Sequence, residues 1–486
     1  MLGAREAGSD PTGLPSIIQG GMGVGVSGWR LARAVAVTGH LGVVSGVALD
    51  TVLARRLQRG DPGGHVRAAL ARFPVAGVAE RILARYFVAG GLPAGTPFRP
   101  VPRLGLRANR HRDELTVAGN FVEVHLAKRG HSGPVGVNYL EKIQLATPAA
   151  VYGAMLAGVD YVLMGAGIPA GIPGLLDALA CGEPGELGVT VAGATAGEHH
   201  TVVFEPASLT AGAPPALVRP RFLAIVSSAV LAAYLARDPA TTPDGYVLED
   251  HGAGGHSAPP RGKLCLDAAG EPIYGPRDHV DPAQVAALGL PFWLAGGHAD
   301  AGALAAAHAV GAAGIQVGSA FALCRESGID PGLRRRLIEH ALAGALAVRN
   351  DPRASPTGFP FKMVQLAGTL AADDVYTART RLCDLGYLRV PYRTPNGAIR
   401  YRCPAEPVDT YLRKGGTAQE TEGHRCLCNG LTATVGLAQH RDDGTTEPPL
   451  ITLGQDLGFL PDVTARAGTD FTAADVITHL TRPRQR

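Results

Sequence analysis

Over its first 325 residues the chain alternates short, almost continuously apolar runs with longer stretches rich in Ala and Leu. Eight of the apolar runs read as strands: residues 16–19, 41–45, 134–137, 160–164, 222–226, 246–249, 292–295 and 314–317. A strand with one wet face alternates apolar and polar residues; these do not, as expected of parallel strands covered on both faces. Helical patterns fall between several of them, over 29–38 behind Ser27 as a candidate N-cap, over 148–157 and over 300–310. Eight strand-then-helix units predict an α/β (β/α)8 TIM barrel, with a doubly wound sheet as the main rival.

Two insertions break the rhythm. Residues 50–133 carry helical patterns (78–88 and 113–128), and residues 182–220 are rich enough in Val and Thr to suggest a small strand pair. The barrel is therefore assigned to residues 1–325 and a C-terminal accessory region to 326–486. That region is expected to open with a helix over 331–348 and to pack on the barrel. Thr394-Pro395-Asn396-Gly397, set between β-like runs, signals a hairpin turn.

Composition narrows the function. The chain has 486 residues, 46% of them hydrophobic and 18% charged, which suits a large buried core. Its 65 glycines and 37 prolines are spread along the chain, so they point to tight connections rather than disorder. A formal charge of +3 without long like-charge runs argues against a nucleic-acid groove or an anionic membrane partner. Two apolar stretches, 222–236 and 303–323, are too short or too interrupted to span a bilayer. With seven cysteines and no signal-peptide core at the start, a reducing cytoplasm is the expected setting. The oligomeric state is left open.

In a barrel of this kind chemistry collects at the carboxyl ends of the strands, and the glycines fall there. Gly20-Gly21-Met22-Gly23-Val24-Gly25 follows the first strand and Gly165-Ala166-Gly167 the fourth. Gly252-Ala253-Gly254-Gly255-His256 follows the sixth, Gly296-Gly297 the seventh and Gly318-Ser319 the eighth. Without a Cβ, such turns let backbone N–H groups approach a ligand, and the last two are placed to hold a phosphate. Tight structural turns are the competing reading. His256 is the candidate acid/base, because imidazole titrates near neutrality. Asp250 and His251 either orient it or pack behind it. His131, before the third strand, reads as structural.

These motifs resemble the nitronate monooxygenase and FMN-type enoyl reductase superfamily. The matching pieces are Ile17-Ile-Gln-Gly-Gly-Met22, Ala253-Gly-Gly-His256, Leu294-Ala-Gly-Gly297 and Gly314-Ile-Gln-Val-Gly-Ser-Ala-Phe321. The resemblance implies non-covalent FMN. Gly20, Gly21 and Met22 would line the flavin, with Gly254 and Gly255 approaching it. Its phosphate would sit on Gly296, Gly297, Gln316, Gly318 and Ser319, and His256 would be the catalytic histidine. Such enzymes oxidise alkyl nitronates, and close relatives reduce enoyl thioesters with NAD(P)H as reductant. The long insertion and tail are more similar to trans-acting enoyl reductases, whose small-molecule substrate rides on an acyl carrier. Asp250-His251 departs from the Glu-Gly of small monooxygenases, and Ser319 replaces a Thr. Read from the residues alone, a non-redox phosphate-binding barrel enzyme is a further alternative.

Four of the seven cysteines, Cys383, Cys403, Cys426 and Cys428, crowd into the tail. Together they could ligate zinc or an iron–sulfur cluster, although the spacing is not that of a zinc ribbon. Buried free thiols and a disulfide compete with that reading.

Overall fold

The computed structural model describes residues 13–483 apart from 196 and 211. All eight apolar runs become strands: β1 (Ile17–Gln19), β2 (Gly42–Ser45), β3 (Val135–Leu140) and β4 (Tyr161–Gly165), then β5 (Arg221–Val226), β6 (Gly245–Glu249), β7 (Phe292–Ala295) and β8 (Gly314–Val317). Neighbours pair in parallel around one eight-stranded sheet. The sheet closes between its ends. Ile18 bridges Leu41, the Gln19 N–H donates to the Leu41 carbonyl at 2.9 Å, and the Leu41 N–H donates to the Ile17 carbonyl at 3.0 Å. Closure removes both open edges, so the molecule is a (β/α)8 barrel and not a doubly wound sheet.

The unbroken apolar runs follow from this geometry. Successive side chains point to opposite faces, and here both faces are dry. Ile18, Val43, Leu163, Leu223, Val247 and Trp293 fill the barrel's interior, whereas Ile17, Val44, Val162, Ala224 and Phe292 face the helical jacket. The Trp293 indole also donates to the Pro15 carbonyl at 2.7 Å, tying the entry segment across the barrel floor.

Glycine sets how closely the jacket sits. A Cβ on Gly42 would lie 1.8 Å from the Ala32 carbonyl oxygen, so helix Trp29–Ala36 rests on the β2 backbone itself. Ser27 does not cap that helix. Gly28 occupies the cap position, and the buried Ser27 hydroxyl turns to the first glycine loop. There it donates to the Gly20 carbonyl and accepts from the Met22 N–H, each at 2.9 Å.

Both insertions take the expected character. The first holds helices Leu49–Gln58, His65–Leu70, Val78–Tyr86 and Arg110–Lys128, the last capped by the Asn109 side chain. The second holds an antiparallel pair, Gly185–Gly188 with Thr201–Phe204. His131 bonds only locally, its Nε2 2.7 Å from the Ala127 carbonyl.

The tail corrects one expectation. Its first helix ends at Leu342, because Gly344 takes a left-handed φ of 67° that stops the spiral. The chain then enters an antiparallel hairpin, β9 (Ala347–Asp351) and β10 (Phe361–Gln365). The Thr394–Gly397 turn forms as anticipated, joining Val390–Arg393 to Ile399–Arg402. Tail residues Leu437, Leu450, Ile451 and Phe459 share one core cluster with the barrel's jacket. Tyr387 reaches the first insertion, where its hydroxyl sits 2.6 Å from Thr51 Oγ1 and also donates to the buried Asp50 carboxylate.

Two glycines test this packing from opposite sides. Gly42→Val should lower stability in chemical denaturation by about 3 kcal/mol, because the Ala32 backbone cannot yield to the new side chain. Gly174→Ala, exposed within helix Ile172–Ala180 with nothing within 4 Å of its Cβ, should instead raise it by up to ~1 kcal/mol. A Gly42→Val protein as stable as its parent would mean that the helix is not seated on β2.

Candidate active site at the barrel mouth

At the carboxyl ends of the strands lies a pocket of about 1390 Å³ of atom-free space, its open mouth included. The structure brings every predicted ligand-binding position to this one wall: Gly20, Gly21, Met22, Gly254, Gly255, Gly296, Gly297, Gln316, Gly318 and Ser319, together with His256. Sequence reasoning missed other parts of it. Asn138 comes from the last turns of β3, which runs three residues beyond its apolar core, and Glu249 from the last residue of β6. Phe361, Thr452, Leu453, Gly454 and Asp456 come from the tail.

Residues 452–456 lie across the mouth. The Thr452 hydroxyl accepts from the Gly255 N–H at 2.8 Å, the Gly454 N–H donates to Ser319 Oγ at 2.7 Å, and the Gln455 N–H donates to the Gly252 carbonyl at 3.3 Å. A Cβ on Gly254 would sit 2.8 Å from the Leu453 carbonyl carbon, so this glycine serves the tail crossing as much as any ligand. Ser319 likewise spends its hydroxyl on Gly454.

Two sets of groups remain for a ligand. A Cβ on Gly318 would meet only Met22, at 3.6 Å, and one on Gly297 only Asp456, at 4.0 Å. Both backbones thus face open pocket. In addition, Ser45 Oγ, Asn138 Oδ1 and Gln316 Oε1 are buried in the wall without a hydrogen-bond partner. Orphaned buried polar atoms are costly, and a bound heteroatom-rich ligand satisfies them.

His256 is held by the hairpin. The Lys362 N–H donates to the Gly255 carbonyl at 3.0 Å and the Ser257 N–H donates to the Pro360 carbonyl at 2.9 Å, a strand-like clasp around the histidine. The ring lies edge-on to Phe361, 4.8 Å between centroids, and its Nε2 is 2.7 Å from Ser355 Oγ. Part of the ring faces the cavity, but protein atoms crowd it, and desolvation pushes its pKa down to about 4. At neutral pH His256 is an uncharged imidazole.

Asp250 and His251 do not orient it. The Asp250 carboxylate takes the His251 ring at 3.0 Å and the His279 ring at 2.8 Å, and His251 stacks on Tyr274. The wholly buried Lys362 ammonium donates instead to the His251 carbonyl and the Ser257 hydroxyl. Burial pushes Glu249 up to about 7 against the pull of Lys362, and burial pushes Lys362 down to about 8 against the pull of Glu249.

The tail cysteines gather elsewhere. Cys383, Cys403, Cys426 and Cys428 line a second, smaller pocket, and all are free thiols. No helix among the described residues is long and apolar enough to cross a membrane.

Comparison with known proteins places the chain. Residues 207–353 match the family model described as nitronate monooxygenase. A protein of Bacillus subtilis (strain 168) named "Probable nitronate monooxygenase" is 38% identical over 93 residues, 19% of this chain and 25% of that protein. A Mycobacterium tuberculosis (strain H37Rv) protein named as a hydroxy-methyl-oxo-octahydro-indene-carboxyl-CoA dehydrogenase is 27% identical over 242 residues, 49% of this chain and 60% of that protein. The chain thus spans from a quarter to about three-fifths of the length of these curated relatives. Among solved structures, the enoyl reductase domain of MlnA from the Bacillus amyloliquefaciens macrolactin cluster is 12% identical with a TM-score of 0.46, over 96% of this chain and 94% of that one. The resemblance carried by the motifs is therefore shown where the His256 loop and the turns after β7 and β8 lie: from residue 207 to residue 353 the chain matches the family model described as nitronate monooxygenase.

Proposed function

We propose that this protein is an FMN-dependent oxidoreductase that oxidises an alkyl nitronate or a similarly activated C–H or C–N substrate, with His256 as its acid/base. The observation that carries this reading is a single mouth pocket uniting the glycine turns after β1, β6, β7 and β8 with three buried side-chain oxygens that have no hydrogen-bond partner. The donor set suits FMN. Backbone N–H groups after β7 and β8 would hold the phosphate, as Gly297 and Gly318 leave room there, and the amides of Asn138 and Gln316 match the heteroatom edge of a flavin. When bound, FMN supplies the capacity to accept or give up a hydride or single electrons.

The chain's own residues handle the proton. His256, uncharged at neutral pH, has an unprotonated ring nitrogen that takes the acidic proton beside the activating group. Ser355 fixes the ring through Nε2, and Phe361 with Thr452, Leu453, Gly454 and Asp456 walls the pocket around it.

One observation favours a second reading, an NAD(P)H-dependent reductase of enoyl thioesters, free or acyl-carrier-bound. Glu249, raised to about 7 by burial in the same pocket, is partly protonated near neutral pH and can supply the proton that such a reaction must deliver next to the carbonyl. A spectrum of the anaerobically purified protein separates the two. Flavin bands that bleach on adding a nitronate, and not with NADH or NADPH, support the oxidase reading; bleaching by a nicotinamide supports the reductase. No flavin after reconstitution with FMN would leave a non-redox phosphate-binding barrel.

His256→Ala should keep its flavin yet lose roughly a hundredfold or more in turnover, and unchanged turnover would remove the proton-transfer role. Gly318→Val, whose Cβ would meet only Met22 at 3.6 Å, should lower flavin occupancy; full occupancy would move the phosphate elsewhere. The charge state of His256 is testable through stability. Its folded pKa of about 4 lies below the unfolded value of about 6.5, so the unfolded chain binds more protons between them. This group's contribution is complete above pH ~6.5 and is lost as pH falls toward ~4. His256→Phe should therefore lose less stability than the parent over that window in parallel urea titrations. Equal losses would put the imidazole in solvent.

A further inference from the structure

We propose that Asp250, His251 and His279 form a binding site for a divalent transition-metal ion in a side pocket next to the barrel mouth. Each offers one ligand atom, and these three atoms lie within 4.8 Å of one another. The carboxylate stands between the rings, with His251 Nδ1 3.0 Å from Oδ1 and His279 Nδ1 2.8 Å from Oδ2. Ligands ~2.1 Å from an octahedral ion stand ~3 Å apart at neighbouring positions, so both spacings suit one shared ion.

His251 distinguishes this arrangement from a plain His–Asp–His hydrogen-bond chain. The His279 nitrogen is in line for an ordinary hydrogen bond to Asp250. The His251 nitrogen is not: it is buried and has no hydrogen-bond partner, although the Asp250 oxygen is only 3.0 Å away. With a proton it is an unsatisfied donor, and without one it is a lone pair beside a carboxylate. A metal ion bonded to both atoms satisfies either case.

The ligands are held in place from behind, as a metal site requires. The Asp250 N–H donates to the Ala295 carbonyl at 2.9 Å, and the Gly252 N–H donates to Asp250 Oδ1 at 3.0 Å. The His251 ring stacks on Tyr274, 4.2 Å between centroids, and the Tyr274 hydroxyl donates to the Ala258 carbonyl at 3.0 Å. Asp278 accepts from the Gly275 and Arg261 N–H groups, each at 2.7 Å, and so fixes the turn that delivers His279.

Asp250 and His251 open on a pocket of about 500 Å³ of atom-free space, its mouth included, which leaves room for water at the remaining coordination positions. Asp278 and Glu249 in that pocket favour a cation, while Arg261 and the Lys362 ammonium on the His251 carbonyl oppose one. Affinity therefore rests on bonds to the two imidazoles, which selects an ion such as zinc over calcium or magnesium. Bound there, the ion ties residues 250 and 251 to residue 279 and braces the start of the loop that ends at His256.

The test uses the full-length protein without an affinity tag, stripped with EDTA and titrated with zinc sulfate. About one zinc per chain should bind and raise the melting temperature, and the cobalt form should lack the near-ultraviolet charge-transfer band of thiolate ligation. His279→Ala and Asp250→Asn should each weaken zinc binding by about tenfold or more, whereas His308→Ala, exposed on helix Ala303–Ala309, keeps the parent's affinity. The His279 side chain is itself exposed, so its loss removes a ligand and not core packing; metal-free melting curves matching the parent's check this. No binding, binding untouched by either substitution, or a cobalt–thiolate band that puts the ion on the tail cysteines would overturn the assignment. Zinc is counted with or without FMN, so failure here leaves the flavin reading standing, and the reverse.

Discussion

The clasp between the loop after β6 and the β9–β10 hairpin governs the site. Two backbone hydrogen bonds, Lys362 to Gly255 and Ser257 to Pro360, fix the chain on either side of His256. Once they are made, Phe361 meets the imidazole edge-on, Ser355 meets Nε2, and Lys362 is carried into the protein interior. A lysine ammonium at that depth survives only with acceptors in reach, and the His251 carbonyl and Ser257 hydroxyl provide them. The same clasp desolvates His256 and so sets its charge. Geometry and electrostatics at the mouth therefore share one cause.

The barrel was open to sequence reasoning because a strand dry on both faces leaves an unmistakable apolar run, and all eight runs became strands. The glycine turns were equally legible, since a close backbone approach leaves few other residues possible. What escaped was anything set by distant pairing. No local pattern marks residues 452–456 as a wall of the pocket, and Ser355 looks like any loop serine until the hairpin delivers it to His256. Asn138 lay closer to reach: extending the third run by three residues puts it at the carboxyl end. Ser27 misled for a physical reason. Its sequence context suits a helix cap, but the first glycine loop takes the same hydroxyl and Gly28 stands at the cap position.

The first insertion and the tail support each other rather than decorating the barrel. Tyr387 bonds to Asp50 and Thr51, Arg55 donates to the Leu437 carbonyl at 2.6 Å, and the Leu106 N–H donates to the Tyr401 hydroxyl at 2.7 Å. The Asp50 carboxyl, raised by burial, is tolerable there because Tyr387 donates to it. Two segments that look like accessories in the sequence thus form one polar-pinned body around the barrel's flank.

The crossing of the mouth by residues 452–456 has a consequence for biosynthesis. A ribosome releases β8 more than a hundred residues before it releases Thr452. The barrel can close while its upper wall is still being made, and during that interval the pocket stands open on one side. Whatever ligand the mouth retains can enter from above before the last strand of wall arrives. The cradle is thus complete in the chain well before its cover exists.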